Sequence, residues 1–226
     1  MMDRRWAGAI VVQAVLAGGA GVVVSLPALG SRQQPPSTLL DEPRKLHPAG
    51  AFAHADTGFP MPESAGPFVR VAVTQFDAEG RHLSAGYNAL VGDVVPVPVV
   101  STVFVYPAPP GADLDAAFDT VLDEIGSAHG EALPLFKKKV VIADRRIVAR
   151  YAAFGYEEPW GGSTEPVGLR SYVLFYRWRD YWVKWRTTTP GPIDPVRMDA
   201  IVALTESLVP PEKPTTDRRS NDKEDA

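Results

Sequence analysis

Apolar residues fall into three regimes along the chain. Residues 6–29 run without a single charge, directly after Arg4 and Arg5. Residues 68–187 carry apolar positions at strand and helix periods, whereas 31–65 and the far end are rich in proline, glycine and polar residues with no period. Each regime predicts a different physical state.

Within the periodic region, residues 68–76 alternate, with Val69, Val71 and Val73 on one face. "DAEGR" then reads as a turn into a returning strand over 82–90. A third strand is predicted over 99–106, its start set by Pro96 and Pro98, which cannot donate ladder hydrogen bonds. Asp113 can cap a helix whose stripe is Leu114, Phe118, Val121, Leu122 and Ile125. Two hairpins follow: 135–143 turning at Asp144-Arg145 into 146–154, and 169–177 turning near Arg179-Asp180 into 181–187. A last helix begins with Asp194 as cap and Pro195 at its first position, and Met198, Ile201, Val202, Thr205 and Leu208 form its expected buried stripe.

The order βββ-α-ββββ-α with hairpin-length connections predicts an α+β fold. It is a mainly antiparallel sheet of about seven strands with two packed helices, plus an N-terminal hydrophobic targeting or anchor helix. The chain divides accordingly into a signal peptide or membrane anchor (1–30), a Pro/Gly-rich tether and lead-in (31–65), a single α+β domain (66–209) and a disordered tail (210–226). The apolar run reaches the roughly 20 residues a transmembrane span needs, and it also fits a long signal. Either reading brings the N-terminal segment to the membrane and exports the remainder, to the periplasm or to an inner-membrane anchor in a bacterial cell envelope. A buried soluble helix is the remaining reading.

Composition removes several functions. The chain has 226 residues, a net charge of -4 and no cysteine. The charge argues against general nucleic-acid binding, which draws on phosphate neutralisation. Without cysteine there is no disulfide, thiolate metal site, cysteine nucleophile or lipoprotein anchor.

Candidate chemistry is sparse. His47, His54, His82 and His129 show no paired metal spacing, so no cofactor or metal is expected, although His47, His54 and Asp56 could in principle gather one. Ser84, Ser101, Ser127 and Ser171 lack a nucleophile-elbow setting, and Trp160-Gly161-Gly162 lacks the rest of a phosphate loop. Strand parity sends Tyr181, Val183 and Trp185 to the core and sets Arg177, Trp182, Lys184 and Arg186 on the other face. With a two-residue loop, Arg177 falls opposite Trp182 and Lys184 opposite Phe175, as cation–π pairs or as a ligand-facing groove. Lys137, Lys138 and Lys139 alternate between faces and read as solubilising edge charges. "GYEEPWGGSTEPVG", residues 155–168, reads as a long loop whose Glu157, Glu158 and Trp160 suit recognition.

Several stretches together, "GFPMPESAGPFVRVAV", "SAGYN", "TVFVYPAPP" and "WVKWRTTTP", resemble the PsbP/Mog-type superfamily over residues 58–209. The resemblance implies a small α+β domain with helices about an antiparallel sheet, often exported in bacteria, acting as an accessory or interaction protein. It carries over no functional residue. The combined expectation is an exported, non-catalytic accessory or binding domain whose partner is an unknown envelope protein or surface, in an unknown oligomeric state. Glu157, Glu158, Trp160, Arg177, Trp182, Lys184 and Arg186 are its possible partner-binding residues. The alternatives are a hydrolase-like enzyme using His82 or His129 with a nearby carboxylate, and a peripheral binder of anionic membrane.

Overall fold

Arg179 and Asp180 alone join two long strands, β10 (Pro166–Trp178) and β11 (Tyr181–Pro190), so Arg177 faces Trp182 and Phe175 faces Lys184 as parity requires. In the computed structural model, which describes residues 38–92, 95–142 and 146–209, this hairpin is the centre of one antiparallel sheet. Before it in the chain come β1 (Leu39–Leu46), β2 (Phe52–Ala53), β3 (Pro60–Met61), β4 (Ser64–Ala65), β5 (Phe68–Asp77), β6 (Leu83–Val91) and β7 (Val97–Pro107). Helix α1 (Leu114–Ala128), β8 (Pro134–Ile142) and β9 (Ile147–Pro159) follow, and α2 (Pro195–Leu208) comes last. The sheet order is β1-β5-β6-β7-β11-β10-β9-β8, with β4 beside β5 and β2-β3 as a separate pair. Two meanders are thus joined by β11 returning to β7.

The α+β expectation of about seven strands is corrected by this count. Strands occupy 53% of the described residues and helices 17%, and the main sheet has nine strands, so the fold is predominantly β. Two physical reasons account for the difference. The lead-in, read as irregular, supplies β1, which pairs with β5, and β4. The stretch read as a loop over 155–168 instead continues the β9–β10 ladder as far as Pro159 opposite Pro166. The expected hydrophobic N-terminal helix and the expected disordered tail, residues 210–226, lie outside the described residues.

Each face of the sheet carries a core. On one, Tyr87, Val103, Tyr176, Val183 and Trp185 are buried beneath the lead-in and Leu204 and Leu208 of α2. On the other, Val173, Phe175 and Trp182 pack under Phe118, Val121, Leu122 and Ile125 of α1, the expected stripe with Leu114 at its half-buried margin. Asp113 caps α1 by accepting from the N–H groups of Asp115 and Ala116 at 2.9 Å.

Two expected faces turn differently. A bulge between Arg70 and Ala72 of β5 shifts the alternation, leaving Val69 and Val71 exposed while Val73 is buried. Arg70 instead points inward and ties the lead-in to the sheet, donating to the carbonyls of Met61, Pro48 and Gly50. In α2 the buried positions are Arg197, Leu204 and Leu208, and Val202 faces solvent. Arg197 sets this rotation, because its guanidinium reaches Asp194, Thr189 and the carbonyls of Pro190 and Pro192.

Candidate functional site

At the C-terminal end of α1, buried and half-buried polar side chains of β9, β10 and β11 converge on His129. Arg186 of β11 is the hub. Its Nε donates to the Ser171 hydroxyl at 3.0 Å and an Nη donates to the Tyr156 hydroxyl at 2.8 Å. That same nitrogen contacts His129 Nε2, and His129 Nδ1 contacts Glu158. A guanidinium can only donate, so Nε2 is the acceptor from Arg186 and Nδ1–H the donor to Glu158. Tyr156 fixes the ring plane by stacking on it at 4.0 Å, and Thr188 donates its hydroxyl proton to Ser171 at 3.1 Å.

This network explains two of the sequence-derived residues. Glu158 is a strand residue opposite Val167 that reaches back to the helix end, and Arg186 is its cationic counterpart two strands away. Glu157, on the opposite face of β9, is exposed, and Trp160 is half-buried at the start of the short loop to β10. Sequence reading weighed Ser171 only as a nucleophile, although its parity with Val173 and Phe175 already set it on this face, and it missed Tyr156, which joins the face once the β9–β10 ladder is extended to Pro159.

The remaining candidates form a separate row beneath α1. Trp182 is buried there at 5.0 Å from the Phe175 ring, with the Arg177 guanidinium 5.7 Å over its own ring, so it is out of a partner's reach. Lys184 lies 4.9 Å over Phe104 of β7, rather than over the expected Phe175, and donates to Glu124 of α1 at 3.4 Å. Burial pushes its ammonium pKa down from the ordinary lysine value, and Glu124 opposes the shift. Helix α1 therefore covers Trp182 and Lys184, while Arg186 of the same face lies at the C-terminal end of the helix.

The other histidines are separated from this network. His82 packs against Phe76 and Tyr106 at 4.7 and 5.3 Å, and desolvation takes its pKa down to about 4. His54 Nε2 meets the carbonyl of Arg81 at 3.0 Å and Asp56 accepts from Tyr181, so the pair does not converge on a metal position. Among the described residues no group of three or more His, Asp or Glu side chains could hold a metal ion. A shallow cleft of about 420 Å³ opens between α1 and the start of β8, lined by Asp119, Asp123, Ser127, Glu131 and Lys137 among others, and none of the network side chains lines it.

No protein-family model and no curated protein matches the chain. Among the described residues no helix is long and apolar enough to cross a membrane.

Proposed function

We propose that the chain is a non-catalytic accessory or binding domain, exported to the bacterial cell envelope through its N-terminal segment, that meets a protein partner through the exposed end of its sheet. One observation carries the non-catalytic reading. Both ring nitrogens of His129 are engaged, by Glu158 and Arg186, and the Ser171 hydroxyl is held by Arg186 and Thr188. A general base needs a free lone pair beside the proton it removes. Here Arg186 occupies that lone pair and separates the histidine from the serine. The groups with hydrolytic potential therefore hold one another, as a structural network does.

Export is supported by the charge-free run of residues 6–29 after Arg4 and Arg5. The test is expression of the full-length chain with a photoreactive residue at position 138 or 160, followed by fractionation, N-terminal sequencing and crosslink identification. The expected result is an envelope fraction carrying one reproducible protein crosslink. A cytosolic chain still beginning at Met1 would overturn the export reading, and ester or amide hydrolysis lost in His129→Ala would overturn the non-catalytic one.

A further inference from the structure

The two edges of the main sheet are built differently. β1 contains Pro43, both signs of charge in Asp41, Glu42, Arg44 and Lys45, and a register break between Leu39 and Arg44. Proline lacks the ladder donor and a break disrupts pairing, so this edge resists a further strand. Among the described residues, β8 bonds only to β9 within the sheet. Its one proline is its first residue, its irregularity ends at Phe136, and it then runs in unbroken register to Ile142.

No residue of β8 is buried. Leu135, Phe136 and Val141 are 58%, 44% and 50% exposed, and Leu133 just before them is 81% exposed. Every charge on the strand is positive, from Lys137, Lys138 and Lys139. Lys138 lies over the rings of Phe136 and Tyr151 at 5.6 and 5.4 Å, on the face where Tyr151 stacks on Tyr172. An edge shaped only to repel other strands would not display large apolar side chains beside its lysines.

We propose that the β8 edge is a strand-addition site for an extended acidic segment of the partner protein, which rests on the binding-domain reading above. The partner backbone completes the open ladder of residues 136–142, its carboxylates meet the lysines on both faces, and its apolar side chains cover Phe136 and Val141. A second copy of this chain is disfavoured in the register that overlaps the lysines. Antiparallel pairing of β8 with itself about Lys138 sets Lys137 against Lys139 and Lys138 against its own copy, and like charges directly opposite destabilise a sheet.

The test uses the full-length chain in mild detergent with three short synthetic peptides. One alternates Glu and Val, the second is the same with alternate backbone amides N-methylated, and the third carries Lys in place of Glu. The Glu peptide is expected to slow amide exchange across residues 136–142, and the methylated and Lys peptides to bind at least about tenfold more weakly. The triple variant K137E/K138E/K139E, which gives up the exposed Lys137–Asp119 pair and is compared with the parent only where its melting curve shows a folded chain, is expected to reverse the preference toward the Lys peptide. Equal binding of the methylated peptide would overturn the proposal, because charge alone would then suffice. Protection away from β8 would overturn it while leaving the binding-domain reading intact. Binding to phosphatidylglycerol vesicles but to none of the peptides would also overturn it, assigning the lysines to a membrane surface.

Discussion

Arg186 illustrates how one side chain can turn several isolated polar groups into a single structural unit. Alternation along β11 sends it to the α1 face just where the helix ends, so its planar donors meet Ser171, Tyr156 and His129 together. The fork geometry matters more than the charge, since lysine is a point donor on a flexible stem. Arg186→Met leaves the buried Ser171 hydroxyl without its Nε–H donor and frees the His129 ring. Losses of this kind cost about 1–3 kcal/mol each in buried settings, so a fall of about 2 kcal/mol is expected in urea denaturation. Arg186→Lys should recover less than half of it. An unchanged denaturation midpoint in Arg186→Met would show that the network does not hold the helix end to the sheet.

At the scale of elements, α1 and β8 meet through a close backbone approach at Gly126. A β-carbon there would sit 2.8 Å from the carbonyl oxygen of Ala132, whose N–H in turn donates to the Gly126 carbonyl at 3.2 Å. Gly126→Ala must push the start of β8 outward, and overpacking of this kind costs about 1–3 kcal/mol. Ser127→Ala, one exposed position along, is expected to stay within about 0.5 kcal/mol, and paired chemical denaturation curves compare the two. This contact was invisible in the sequence, where Gly126 reads as a mere interruption of the helix. Local chemistry was legible: Asp113 and Asp194 as caps, the α1 stripe, and the Arg179-Asp180 turn that fixed the register of "YWVKWR". Features that depend on a distant partner were not. The bulge after Arg70, the rotation of α2 imposed by Arg197, and the pairing of β1 with β5 arise from contacts that no period along the chain records. The candidate residues divided on the same line. Parity placed Arg186 and Lys184 on the correct face, but whether helix or solvent covered that face was a tertiary fact.

For the molecule as a whole, the Asp77–His82 turn is where the lead-in, the β5–β6 hairpin and the central strands meet, and it makes stability depend on pH. The Asp77 carboxylate accepts from the His82 backbone N–H at 2.9 Å, while the Arg81 carbonyl meets His54. Both imidazoles are desolvated. The His82 pKa is held at about 4, and that of His54 is also lowered, first by burial and against the pull of the Arg81 carbonyl, Asp56 and Asp77. An unfolded histidine titrates near 6.5, so between about pH 6.5 and 4 the unfolded chain binds more protons than the folded one. Stability is then full above about pH 7 and falls as the pH drops through that window, by on the order of 3 kcal/mol at most from His82. Asp194, whose carboxyl is held below its ordinary value by the N–H of Arg197, adds its loss only at lower pH, because a depressed carboxylate is protonated last in the fold. The two steps are therefore separable. His82→Phe keeps an aromatic ring between Phe76 and Tyr106 and removes the titrating group. Urea denaturation from pH 7.5 to 4 should show a markedly shallower decline in this variant, with His54 contributing to the residual slope. An identical slope in parent and variant would mean that His82 is protonated alike in the folded and unfolded chain, and the burial argument for this turn would fail.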